Sequence, residues 1–272
     1  MTAGTLLGIV AAFEPEAVLV RRHLHLRYEA SIPGGRLWRG VLYGQDTVLL
    51  RCGMGSTRAT WAATWLVQHY TLRGLLNIGF AGGLQASLAT GDALLPEQIL
   101  AMPDVSNHHT PALPAGILPD ACLVHLAAIA ADQAHLTQHR GTLVSVSEVL
   151  ADASTKQQLG QRSGALAVDM ESYSIGRVAV AHALPFITIR TIFDTCQDNV
   201  PFQVGSFTSV DGVVQPLRAW RYLVSHPRTL RHIGTAWGKA RRAGRALASW
   251  LHHFLPLLRH STYVREDRQC LP

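Results

Sequence analysis

Residues 168 to 194 read VDMESYSIGRVAVAHALPFITIRTIFD, and this run constrains the fold more than any other. It opens as the end of a strand and continues into two carboxylates flanking a methionine: Asp169, Met170 and Glu171. The spacing predicts a helix from about Ser172 to His182. After the Leu184–Pro185 break, the β-branched run from Phe186 to Ile192 reads as a buried strand, closed by Asp194. A helix between two strands usually returns the chain to a parallel neighbour in the same sheet. Glu171 at a helix mouth and Asp194 at a strand tip are then expected side by side, where open α/β sheets bind ligands. The plainer alternative is local: Glu171 complements a helix N-terminus and Asp194 caps a turn.

The chain before this run alternates strand and helix, as α/β folds do. LLGIVAAF ends at Phe13 and enters a helix through Glu14–Pro15–Glu16, a suitable first turn for proline and for acidic side chains. Strands are predicted over 36–42 and 47–52, around Tyr43–Gly44–Gln45–Asp46. CGMGSTRAT then opens a helix over 57–69; Gly53 and Gly55 suit either a tight strand-to-helix turn or close approach to a ligand. Further strands are predicted over 75–84, 91–100 and 141–146, and helices over 119–134 and 153–161. Residues 101–118 read as an irregular loop whose His108 and His109 lack a third metal ligand.

Charge divides the chain in two. Residues 1–198 carry 13 Lys/Arg against 15 Asp/Glu, net −2, while residues 199–272 carry 11 against 3, net +8. The expected division is an α/β domain over 1–198 and a basic helical extension over 199–272. A helix pattern over 228–255, ended or kinked at Pro256, puts Trp250 and Phe254 opposite Lys239, Arg241, Arg242 and Arg245. Two uses fit: peripheral contact with anionic lipid, or packing on the core or a dimer seam with a solvated basic face. Nucleic-acid binding is disfavoured by the slightly acidic core. Four scattered cysteines without CxxC spacing predict reduced thiols in a cytoplasmic protein. No run is apolar enough to span a membrane.

Three segments, GIVAAFEPE (8–16), NIGFAGGLQASLATGD (77–92) and VDMES…IRTIFD (168–194), resemble the nucleoside phosphorylase superfamily, in particular its 5′-methylthioadenosine/S-adenosylhomocysteine nucleosidase branch. The resemblance implies a three-layer α/β sandwich with a central mixed, mostly parallel sheet, cleavage of a purine–ribose bond without metal or organic cofactor, and a homodimer. It implies that Glu16 activates water and Asp194 protonates the purine. Glu171 would hold the ribose hydroxyls and Met170 pack under the ribose. Val149 and Leu150 would line the base pocket, with Arg190, Phe80 and Phe193 completing the substrate-binding set.

Such cleavage needs an acid to deliver a proton to the purine and a carboxylate to aim water at the anomeric carbon. The Ile192–Phe193 surroundings are expected to raise the pKa of Asp194 by desolvation. Phe80 and Phe193 stand where many relatives have serine. Asn77 and Phe80 replace the phosphate ligands of phosphorolytic relatives, which favours hydrolysis unless Arg51 supplies the missing charge. The basic tail resembles hopanoid-biosynthesis members acting on adenosylhopane. The alternatives are an ordinary methylthioadenosine/S-adenosylhomocysteine nucleosidase, a phosphorolytic enzyme, or a nucleoside-binding protein without turnover.

Overall fold

The computed structural model describes residues 5–102, 116–199 and 230–260; His108 and His109 lie outside them. The described elements run β1 (Leu6–Ala11), α1 (Glu14–Arg21), β2 (Leu24–Ile32), β3 (Gly35–Leu42), β4 (Gln45–Arg51), α2 (Ser56–His69), β5 (Leu72–Gly83) and β6 (Ala93–Met102). They continue with α3 (Ala121–Gln133), β7 (Gln138–Val146), α4 (Ala153–Ser163), β8 (Ala167–Asp169), α5 (Ser172–Ala181), β9 (Phe186–Asp194) and α6 (Leu230–His260). β2 has no counterpart in the sequence reading. It is an edge strand whose first residue alone is fully buried, so it shows no alternation of apolar and polar positions.

One mixed sheet of nine strands, ordered β2-β3-β4-β1-β5-β8-β7-β6-β9, forms the middle layer. β9 pairs with both β5 and β6, so one half of the sheet closes on itself. This closure corrects one expectation. β8 and β9 are not parallel neighbours; both flank β5, β8 antiparallel and β9 parallel. The two registers meet at Gly82, which faces Val168 on one side and Asp194 on the other. β8 takes its parallel partner from β7, through α4, and its other edge from β5, so the segments around Glu171 and Asp194 converge across β5 instead.

Alternate residues of β1 serve opposite layers, as the two-residue period of a strand requires. Leu7, Ile9 and Ala11 join α1, α3 and α6 in one cluster, while Leu6 and Val10 join α2 and α5 in another. α6 is therefore part of the first layer. Trp250 and Phe254 are fully buried, and Trp250 Nε1 donates to Ala127 O at 2.8 Å. The aromatic face offered to lipid by the sequence reading is thus spent on the core, because α3 and β9 present apolar surface to it. Arg241, Arg242 and Arg245 remain exposed. Helix α6 also continues through Pro256. A proline costs one backbone bond there, while buried Leu255 and Leu258 and the bond from Gln45 Nε2 to Leu255 O hold the last turn.

No described helix is long and apolar enough to cross a membrane. Cys52 and Cys196 are buried free thiols. Cys122 is disulfide-bonded, which departs from the expectation of reduced thiols throughout.

Candidate active site

The site begins where β1 ends. Glu16, 3% exposed, sits in the first turn of α1 and turns its carboxylate back over the strand end. Oε2 accepts from the amides of Ala12 and Phe13, both at 2.9 Å, and Oε1 accepts from Phe80 N at 3.1 Å. A carboxylate has about four acceptor positions, so one stays open. Gly79 of β5 backs this group. A Cβ there would lie 2.5 Å from Glu16 Oε1 and 2.6 Å from Arg190 Nη1, so only glycine lets both side chains occupy that space.

Arg190 lies opposite Gly79 in register on β9 and is 2% exposed. Its Nε and Nη2 are engaged within the protein. Nε and Nη2 donate to Asp169 Oδ2 at 2.9 and 2.7 Å, and Nη2 is 3.9 Å from Glu171 Oε2. Asp169 also accepts from Ser145 Oγ at 2.6 Å and from Ser172 N and Oγ. Asp169, not Glu171, therefore completes the N-terminus of α5. Glu171 is the N-cap residue of α5 but makes no side-chain cap bond there. Its Oε1 instead accepts from Gly55 N at 2.7 Å. Gly55 has φ +98°, a conformation open to glycine at little cost, and this turn aims its N–H at the carboxylate.

Asp194 ends β9 and forms an ion pair with Lys156 of α4, whose side chain is 1% exposed. Phe80 and Phe193 flank the region with ring centroids 6.1 Å apart. Met170 and Leu150 pack against the same small cluster beneath β7 and β8, whereas Val149 is 42% exposed and outside it. Asn77 donates to Ser172 Oγ at 3.0 Å and Thr188 Oγ1 at 3.3 Å, so it serves the buried network. Arg51 pairs with Glu14 at 3.0 Å. Sequence reasoning missed Lys156. The available signal was its spacing: it stands three and four residues before Leu159 and Gly160 on the buried face of α4.

Burial dominates the electrostatics. It raises the pKa of Glu16 against the opposing Arg190 charge and three backbone donors. Burial and then Asp169 raise Glu171 to about 7, with Arg190 opposing. Burial likewise raises Asp194, with Lys156 the largest opposing influence. Arg190 loses hydration by burial, but Asp169, Glu171 and Glu16 outweigh that loss and hold its charge. Among the described residues, no group of three or more His, Cys, Asp or Glu is placed to hold a metal ion.

The sequence and the fold have known counterparts. A 5′-methylthioadenosine/S-adenosylhomocysteine nucleosidase of Tolumonas auensis is 28% identical over 210 residues, covering 72% of this chain and 88% of the relative. The nucleosidase of the same name from Neisseria meningitidis, solved with methylthio-immucillin-A, superposes with a TM-score of 0.73 at 19% identity, covering 93% of this chain and 100% of that one. Futalosine hydrolase of Helicobacter pylori superposes with a TM-score of 0.72 at 18% identity, covering 92% and 97%. The family model described as the phosphorylase superfamily matches residues 6–214, so all the site residues fall inside it, and the chain belongs to that superfamily.

Proposed function

We propose that the chain hydrolyses the N-glycosidic bond of a 5′-substituted adenosine and releases adenine. The observation that carries this reading is the spacing of the carboxyl groups along β5. Gly79 backs Glu16, and Gly82 lies 3.4 Å (as a built Cβ) from Asp194 Oδ1. Both acids thus meet the same end of β5, within three residues of each other, where a sheet of this class binds its ligand. Asp194 gives its proton to the imidazole ring of the purine as the bond from the anomeric carbon to nitrogen breaks. Glu16 takes a proton from the water that bonds to that carbon. Glu171 accepts from the ribose hydroxyls, and Met170 and Leu150 provide apolar packing.

Water is favoured over phosphate because the buried cation of the site, Arg190, is neutralised by Asp169, and Arg51 pairs with Glu14. A phosphate dianion in so buried a place needs a positive partner. The methylthioadenosine/S-adenosylhomocysteine nucleosidases found by comparison support this class of reaction.

Within this class we propose an extended apolar 5′ group, that of adenosylhopane, supported by the Phe80–Phe193 pair. The exposed Arg241, Arg242 and Arg245 on α6 give a cytoplasmic homodimer a basic face for an anionic membrane surface, at ~1 kcal/mol per residue near the lipid. Adenine release is to be measured from methylthioadenosine and from a hopanoid adenosine, with and without phosphate. The expected result is a free ribosyl product, phosphate-independent rates and a preference for the lipid nucleoside. A ribose 1-phosphate product overturns hydrolysis, and a preference for methylthioadenosine overturns the lipid substrate. Co-sedimentation with anionic liposomes that disappears when the three arginines become glutamate supports the surface contact; unchanged binding, or none by the original protein, removes it.

A further inference from the structure

Lys156 is a buried charge that the mechanism above leaves without a task. An ammonium at 1% side-chain exposure loses nearly all its hydration and needs good partners to be tolerated. Its partners all belong to one turn. Nζ pairs with Asp194 Oδ2 and donates to Asp198 O at 2.9 Å and Thr195 O at 3.4 Å. Those three contacts match the three hydrogens an ammonium offers. The turn is also held from the opposite side. The Asp198 carboxylate accepts from Thr195 N at 2.7 Å and Thr195 Oγ1 at 2.8 Å, and it pairs with Lys239 of α6 at 2.5 Å.

Resting on the assignment of Asp194 as the acid, we propose that Lys156 is its positioning residue: it grips Oδ2, leaves Oδ1 to meet the purine, and stabilises the carboxylate that forms as the proton departs. The proton passes from Asp194 to the purine, and Lys156 keeps all three of its own. A fixed cation beside a charge that develops during reaction lowers the barrier because no solvent must reorganise. The charged groups acting on Asp194 are Lys156 from α4, Asp198 from its own turn and Lys239 from α6. Burial raises the pKa of Asp194 and Lys156 is the strongest influence against that rise. Removing the ammonium therefore leaves a weaker acid that stays protonated to higher pH.

The test is the pH profile of kcat for adenine release from methylthioadenosine by the full chain. Lys156→Met is expected to lower the plateau by roughly 10- to 100-fold, the scale of a lost orientation, and to move the alkaline limb to higher pH. Lys156→Arg keeps the charge and should leave the limb in place. In an Asp194→Asn background, Lys156→Met should change kcat by less than about twofold, since coupled residues are not additive. A staple that merely holds the turn would depress kcat at every pH without moving the limb, and that result overturns the proposal. If the Met variant does not fold, Lys156→Gln retains donors for the two carbonyls without the charge, and the same limb is read from it. Adenine release by the original protein with an unmoved limb in the neutral variants sinks this inference alone. No adenine release by the original protein from either nucleoside removes the acid assignment, and the inference with it.

Discussion

At the residue scale the site is three carboxyl groups that burial inclines to stay protonated, Glu16 and Glu171 restrained by Arg190 and Asp194 by Lys156. Glu16 and Asp194 carry the proposed proton transfers. Asp194→Asn is expected to lose at least ~100-fold in kcat, the lower end of what general acid catalysis contributes. Glu16→Gln should lose a similar factor while still binding nucleoside, as read by calorimetry. Near-normal steady-state turnover in Asp194→Asn contradicts the assignment. Glu171 offers a separate test through stability. Its carboxyl titrates at about 7 in the folded chain, against an ordinary value of 4.5. Between those values the native state binds more protons than the unfolded state. Stability should therefore fall as pH rises through this window, by up to ~3 kcal/mol. Glu16 and Asp194 are shifted in the same direction and steepen the fall. Denaturant titrations from pH 4.5 to 7 should show a shallower decline for Glu171→Gln. An unchanged slope would mean that Glu171 ionises normally.

At the element scale, α6 was open to two readings because an amphipathic helix has the same residue pattern against lipid and against protein. Its partners settle its apolar face. Trp250 fits under α3 with its indole nitrogen bonded to Ala127 O, and Thr191 Oγ1 donates to Ala243 O at 3.1 Å. Trp250→Ala should cost ~3–5 kcal/mol, the usual loss for truncating a buried aromatic, seen as a lower denaturation midpoint. A change within about 0.5 kcal/mol, the range of ordinary surface substitutions, would place the side chain outside the core. β2 illustrates the opposite limit. An exposed edge strand held by backbone pairing to β3 needs no apolar alternation, so its sequence carries little trace of it.

At the scale of the whole molecule, the tail and the site are one mechanical unit. Lys239 of α6 pairs with Asp198, whose turn carries Asp194, while the apolar face of α6 closes the α1–α3 layer. Truncation after Val224 is therefore expected to unfold the protein rather than yield an active, soluble nucleosidase. Circular dichroism and size-exclusion chromatography decide it. A folded truncate with full turnover on methylthioadenosine would show that the sandwich stands without α6.

Local chemistry was legible in the sequence. The alternation of elements, the carboxylates at Glu171 and Asp194, and a glycine turn at Gly53 and Gly55 follow from periodicity, breakers and residue type, which depend on near neighbours. The resemblance of three short segments added the kind of reaction, a matter of residue types in order. Long-range pairing decided the rest. Asp169 and Glu171 are two residues apart and chemically alike, yet Asp169 neutralises Arg190 and caps α5 while Glu171 turns to Gly55. Lys156 meets Asp194 across |i−j| = 38 residues, and Phe80 N meets Glu16 across 64. The ring closed by β5 and β9 brings these groups into register. A side chain's type fixes which bonds it can make, but the bond it does make depends on which groups the packed sheet leaves within about 3 Å of it, and that distance exists only in the folded chain.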